Sequence, residues 1–335
     1  MTQLWIELAA MLLVILLAAE LFTNALEHLG ERLGISEGVT GSLFAAVGTA
    51  LPETVVPIMA IVAGTTDANV NADISVGAIL GAPLMLSTLS IALMAVSVLR
   101  RRGLAGRVTP ERSGLVRDLD FFLFAFLLAA AAMFVPHTLL WMRVLLSAAL
   151  VALYVVYIAL TMRASNALVA EGHGTSAEKQ MHLTRLGLKE HGSTILLQLL
   201  LAVVLLVLGA EGFIHGVVGI SNALGISALV LSLLIVPIAT ELPEKVNSIL
   251  WARRGKDTLA VGNITGAMVF QGTLLPALGI LMTPWLPRPE VLSGIIITLL
   301  AAAWLRLNAS RGGPRVAALL ASGLFYLTYL AITLL

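Results

Sequence analysis

The stretch AAVGTALPETVV, from Ala45 to Val56, sets Gly48, Pro52 and the carboxylate of Glu53 inside an otherwise apolar run. At an offset of 191 residues, LIVPIATELPEKVN (Leu234 to Asn247) repeats the pattern with Pro243 and Glu244. An unpaired carboxylate in the middle of an apolar span costs roughly 2.5–3.5 kcal/mol on insertion scales. Proline removes a backbone donor and crowds the preceding turn, so each run is expected to break. Two broken, acidic, apolar segments at matching places call for a common purpose.

The rest of the chain fixes the solvent. Of its 335 residues 59% are hydrophobic and only 12% charged, with mean hydropathy +0.99, far outside the range of a water-soluble domain. The fold class is all-α integral membrane. The first apolar run, Leu4 to Leu26, is too long for the core of a signal peptide and lacks a basic start, so it reads as a span. The absence of cysteine rules out disulfides and thiolate metal sites.

Apolar runs of about 20 residues predict ten transmembrane helices: 4–27, 38–62, 73–98, 119–135, 138–162, 194–221, 226–251, 257–282, 289–305 and 315–335. With the N-terminus outside, 17 of the 20 basic residues fall in inside loops, including the cluster from Arg100 to Arg117, and only Arg143 and Arg288 face out. That asymmetry predicts ten spans in a cell (inner) membrane with both termini outside. All five tryptophans fall near span ends and are expected at the lipid–water interface.

The two opening stretches belong to a longer self-match. Glu20 maps to Glu211, LGIS at 33–36 to LGIS at 224–227, Thr49 to Thr240, and LPE at 51–53 to LPE at 242–244. After a six-residue shortening, Gly77, Gly81 and Ala82 map to Gly262, Gly266 and Ala267. A five-helix unit duplicated once enters the bilayer the second time from the opposite face, so the chain reads as two inverted repeats with broken second and seventh helices. The units are 1–163 and 193–335, joined by a polar cytoplasmic linker at 164–192.

Two carboxylates meeting near the axis between such repeats, with carbonyls released by the breaks, make a hard oxygen cage suited to Ca²⁺ or a similar divalent ion. Glu53 and Glu244 are the candidate metal ligands. Glu241 adds a third acid, three residues before Glu244 and four before Lys245. It either pairs with Lys245 or carries a proton, and Lys245 either neutralises it or replaces one bound cation. Gly77, Gly81, Gly262 and Gly266 are spaced for close helix packing. Glu20, Glu211 and His215 are weaker polar candidates, for gating or proton relay against simple solvation at a helix end.

At these residues the chain resembles the Ca²⁺:cation antiporter superfamily, most closely its prokaryotic sodium/calcium exchanger-like branch. Each repeat of that family reads approximately G-T-S-x-P-E on one helix and G-N-x-x-G-S-N-x-x-N/D on the next. Here the copies are GTALPE (48–53) with GAILGAPLML (77–86), and ATELPE (239–244) with GNITGAMVFQ (262–271). The resemblance implies that Glu53, Glu244 and the carbonyls at Thr49 and Thr240 hold the divalent ion. The family's Na⁺-site serines and amides are mostly replaced, by Ala50, Ala82, Pro83, Leu86, Ala267 and Met268, with Glu241 in place of one serine. Only Asn263 and Gln271 keep amides, as possible coupling or charge-balance residues together with Glu241 and Lys245.

The expected function is a secondary-active antiporter moving Ca²⁺ or a similar divalent cation by alternating access, in exchange for H⁺ or Na⁺. The missing oxygen ligands favour H⁺. The alternatives are a passive cation channel and a transporter of a different cation on the same fold. No nucleophile–base pair, His-x-x-x-His or phosphate loop supports an enzyme, no cofactor beyond the transported cation is expected, and the partners are inorganic cations and the lipid bilayer. Nucleic-acid binding is unsupported, because orientation accounts for the arginine cluster.

Overall fold

The computed structural model describes residues 2–33, 51–64, 66–170, 180–225, 227–309 and 312–334. The helices run α1 (Thr2–Leu33), α2 (Leu51–Ala63), α3 (Ala68–Met85), a π-helical turn (Leu86–Ser90), α4 (Ile91–Arg102), α5 (Arg112–Ala132), α6 (Leu140–Ala170), a short α7 (His182–Arg185), α8 (Gly192–Leu224), α9 (Ala228–Thr240), α10 (Leu242–Arg253), α11 (Asp257–Met282), α12 (Pro289–Asn308) and α13 (Val316–Leu334). Among the described residues the only extended pairing is an isolated bridge between Arg107 and Arg315.

Local chemistry sets the ends. The Asp67 carboxylate accepts from the Asn69 and Val70 amides (2.9 and 3.4 Å) to start α3, and Glu111 accepts from Ser113 and Gly114 (both 2.7 Å) to start α5. Gly225 closes α8 with φ +66°, a backbone conformation glycine adopts without a side-chain clash.

Among the described residues, seven helical stretches are long and apolar enough to cross a membrane: Leu4–Phe22, Ala68–Arg102, Leu140–Ala164, Gly192–Leu224, Asp257–Met282, Pro289–Asn308 and Val316–Thr333. The chain is a multi-pass helical membrane protein. α5 falls short of this criterion because Arg112, Arg117, Asp118 and Asp120 occupy its first half, and α9 and α10 because they are two short helices. Within their apolar windows, Ala68–Arg102 and Asp257–Met282 are each 83% buried, against 18–44% for the other five. Those two crossings form the centre, and the others present apolar faces outward.

Close approach in the centre depends on glycine. A β-carbon on Gly77 would meet Ser232 Cβ at 2.6 Å, and one on Gly81 would meet the Leu233 carbonyl oxygen at 2.6 Å and Pro237 Cγ at 2.7 Å. The spacing seen in the sequence therefore lets α3 lie against α9. At the periphery, α8 turns Gly209, Gly212, Gly216 and Gly219 toward Ile15, Met11, Leu8 and Leu4 of α1.

Contacts sort the helix ends into two groups. In one group, the end of α1 meets the start of α8: His28 Nδ1 lies 2.7 Å from Glu190 Oε1, and Gln198 Nε2 donates to the Leu21 carbonyl at 2.8 Å. In the same sense, Arg101 donates to the Arg253 carbonyl (2.8 Å), the Val108 amide to Pro314 (3.0 Å) and the Val316 amide to Gly106 (2.9 Å). In the other group, Arg288 pairs with Asp73 at 2.7 Å. Arg143, only 2% exposed, spends its guanidinium on the carbonyls of Ile280, Thr283 and Pro284 at the end of α11.

Trp285 corrects an expectation. It is fully buried, with its indole N–H donating to the Ala129 carbonyl at 3.0 Å, so it packs inside rather than at an interface. Trp5 and Trp141 do lie exposed, at 42% and 63%.

Candidate functional site

α9 and α10 are one helix interrupted at Glu241. The Glu241 amide still donates to the Pro237 carbonyl (3.2 Å), and the Lys245 amide to the Glu241 carbonyl (3.1 Å), so the break is one residue wide. Ile238 to Thr240 remain helical. Pro243 falls in the first turn of α10, where its missing N–H is tolerated, and the interruption moves to Glu241 with φ −85° and ψ 10°. In the other half, α2 carries Pro57 inside it. Pro57 has no N–H to give to the carbonyl of Glu53, four residues earlier, which leaves that oxygen without its helical donor.

Glu53 is 2% exposed, and Glu241 and Glu244 are completely buried. Glu53 lies within electrostatic reach of both Glu244 and Glu241, with Thr240 beside it. Glu241 likewise feels Glu244 and Lys245. Both carboxylate oxygens of Glu53 lack a hydrogen-bond partner among the described residues. The Thr240 hydroxyl lies 3.0 Å from the Val236 carbonyl oxygen and beside Glu53. Thr49 lies outside the described residues.

Lys245 enters this group from α10. Its Nζ stands 3.5 Å from Glu241 Oε2 and 3.2 Å from the Pro237 carbonyl oxygen, with 4% of the residue exposed. The ammonium thus stands at ion-pair distance from Glu241. Three carboxyl groups and one ammonium thus share a volume closed to water.

The two amides separate. Asn263 Nδ2 donates to the Glu244 carbonyl (3.2 Å) and to Ser248 Oγ (3.0 Å), which ties α11 to the first turn of α10. Gln271 is eight residues further along α11, about 12 Å at the helical rise, fully buried, with neither amide atom hydrogen bonded among the described residues. Ala82, Leu86, Ala267 and Met268 are all fully buried, so their positions offer no side-chain oxygen. Among the described residues no three carboxylate or imidazole groups close tightly enough to hold a metal ion by themselves. Main-chain oxygens must complete any cation site here.

The weaker candidates lie elsewhere. Glu20 is half exposed and approaches His182 at 3.9 Å, and Glu211 and His215 are exposed on α8. A buried acid that spacing gave no reason to notice is Asp118, which accepts from Tyr157 (3.0 Å) and Thr265 (2.7 Å) and joins α5, α6 and α11. Its signal in the sequence is an aspartate shortly ahead of the apolar run that begins at Phe121, where an unpartnered charge would be costly.

Central crossings packed through glycine, a helix broken at an acid, and buried carboxylates gathered at the break define a membrane protein built to handle cations. The chain belongs to the sodium/calcium exchanger protein family, whose model matches residues 3–163 and 194–335. It is 25% identical over 276 residues to inner membrane protein YrbG of Escherichia coli (strain K12), covering 82% of this chain and 78% of that one. The fold matches the crystal structure of the H⁺/Ca²⁺ exchanger CAX with TM-score 0.74 at 17% identity, over 99% of this chain and 85% of that one. It matches the sodium-calcium exchanger NCX_Mj with TM-score 0.63 at 18% identity, over 98% of each chain.

Proposed function

We propose that the protein is a secondary-active antiporter that carries Ca²⁺ or a similar divalent cation across the inner membrane by alternating access. The observation that carries this reading is the buried group of Glu53, Glu241, Glu244 and Lys245, three acids beside one ammonium, an excess of acid that a divalent cation balances when the acids are ionised. The Glu53 main-chain oxygen, deprived of its helical donor by Pro57, and the Thr240 hydroxyl oxygen are the neutral ligands. Membership of the exchanger family and the fold shared with the H⁺/Ca²⁺ exchanger CAX and with NCX_Mj support cation exchange.

In this reading α1, the stretch containing α2, α3–α4, α5 and α6 are five crossings, and α8, α9–α10, α11, α12 and α13 repeat them upside down. Residues 1–163 and 193–335 are the two units, 164–192 is a cytoplasmic linker, and both termini lie outside. The two groups of helix ends are the two membrane faces: the group with Arg101, Arg102, Arg253 and Arg315 is the basic, cytoplasmic one.

The coupling ion is H⁺. Two protons on the cage leave the same charge as one divalent ion, and protons need no oxygen ligands at Ala82, Leu86, Ala267 and Met268. Flux of ⁴⁵Ca²⁺ into proteoliposomes tests both levels. A pH gradient is expected to drive uptake and a Na⁺ gradient at matched pH little. Uptake indifferent to either gradient identifies a passive channel, and uptake driven by Na⁺ alone with a protonophore present rejects H⁺ coupling.

A further inference from the structure

The Lys245 ammonium occupies a place shaped like an ion site. It is enclosed by a carboxylate oxygen of Glu241 at 3.5 Å and the main-chain oxygen of Pro237 at 3.2 Å. Glu241 is the interrupting residue and Pro237 lies one turn before it in α9, where its carbonyl also accepts from the Glu241 amide, and neither Glu241 oxygen has a hydrogen-bond donor at normal distance. Glu241 is fully buried, so water cannot screen its charge. A buried carboxylate and a backbone carbonyl beside the break are oxygen ligands of the kind a small monovalent cation uses.

We propose that Lys245 is a tethered monovalent cation: its ammonium fills, between Glu241 and the Pro237 carbonyl, a site that Na⁺ or K⁺ occupies when the side chain is removed. The consequence for transport rests on the exchange reading above. With Lys245 resident, Glu241 needs no ion from solution, and Glu53 and Glu244 are left to handle the exchanged cargo. A third carboxylate is thereby accommodated without a third cargo ion. The lysine cannot leave, so its charge moves with the protein and not with the cargo.

Equilibrium stability of purified protein separates the two ideas, because it needs no transport. Wild type, Lys245→Met and the double variant Glu241→Gln/Lys245→Met are unfolded thermally in NaCl, KCl and choline chloride at equal ionic strength, and again with CaCl₂. Methionine keeps the apolar stem and deletes the charge. Lys245→Met is expected to gain a saturable stabilisation by Na⁺ or K⁺ over choline, on the order of 3 °C beyond that of the wild type, and the double variant none. Recovery of folded Lys245→Met only in Na⁺ or K⁺ carries the same meaning. The proposal is overturned if Lys245→Met is indifferent to these ions, if the double variant shows the same gain, or if Lys245→Met cannot be recovered in any salt while the double variant can. Loss of Ca²⁺ stabilisation in the wild type would instead count against the divalent cage and leave the Lys245 site standing.

Discussion

Arg102 grips Asp257 with both guanidinium nitrogens, Nη1 to Oδ2 at 2.6 Å and Nη2 to Oδ1 at 2.8 Å, across 155 residues of sequence. The Thr109 amide adds a third donor to the same carboxylate at 2.7 Å. One buried acid at the start of α11 thus joins the end of α4 and the loop before α5. Arg102→Met removes the charge that balances Asp257 and is expected to cost roughly 3 kcal/mol. Thermal unfolding in detergent measures this. The double variant Arg102→Met/Asp257→Asn should recover more than half the loss, since both charges then go together.

Sidedness is testable by labelling in this cysteine-free chain. Leu104→Cys, in the loop after α4, and Leu186→Cys, after α7, are both exposed and are expected to resist an impermeant outside reagent in intact cells. Thr138→Cys, between α5 and α6, should react. Outside labelling of Leu186→Cys would overturn the inverted arrangement.

Glu53→Gln and Glu244→Gln each remove one of the charges assigned to the divalent ion without changing side-chain volume. Each is expected to reduce Ca²⁺ flux at least about 100-fold, the equivalent of 2.7 kcal/mol or more of lost charge stabilisation, with the protein still monodisperse by size exclusion. Near-normal uptake by either variant rejects the cage.

Gly81 has no room for a side chain against α9. Gly81→Val drives a β-carbon into the Leu233 carbonyl and Pro237, and is expected to cost about 1–3 kcal/mol by overpacking. Because Pro237 also holds the Lys245 ammonium, Ca²⁺ affinity should fall together with stability. A variant with normal melting temperature and normal flux would show that α3 and α9 need not approach so closely.

Glu111 offers a pH test outside the membrane. Partial burial pushes its carboxyl up, but the Ser113 hydroxyl, the Ser113 and Gly114 amides and the nearby Arg117 overcome this and hold it below the usual carboxylate range. A carboxylate held low in the folded state stabilises above its unfolded value and loses that contribution as pH falls through the folded one. Wild type should therefore exceed Glu111→Gln in stability at pH 7, by less than about 1 kcal/mol given its exposure, and the gap should shrink as pH falls below the ordinary glutamate range. A gap that does not change with pH would mean the cap is not ionic. Melting curves of the two proteins across that range decide.

How much of this was legible in the sequence depends on distance along the chain. The LPE repeats, the apolar runs and the glycine spacing are local patterns, and α11 falls on the expected 257–282. The pairing of Glu241 with Lys245 was foreseeable from the i, i+4 spacing, although only the structure decides that the ammonium also reaches Pro237. The position of the break was misread because proline tolerates the first turn of a helix, so Pro243 starts α10 instead of unwinding α9. Pro57 passed unnoticed although it withholds a donor from Glu53. Asp118 with Tyr157 and Thr265, Arg143 with the end of α11, and Arg102 with Asp257 join residues 39 to 155 positions apart, and no periodicity reports such partners. Trp285 misled because its place near a span end does not reveal that the chain turns inward there.

The π-turn at Leu86–Ser90 divides the crossing formed by α3 and α4, while α11 runs as uninterrupted α-helix from Asp257 to Met282. A wider turn leaves main-chain groups to be satisfied locally, and Ser87 and Thr88 do so by donating to Pro83 and Leu84. In an exchanger made of two opposite copies, trading the shapes of the copies converts a site open to one side into a site open to the other. Were the copies identical, the two forms would have equal free energy and equal occupancy at rest. On the exchange reading proposed above, a turn present in one copy alone removes that degeneracy, so the resting protein is expected to favour one facing and to show unequal apparent affinities for the same cation on its two sides.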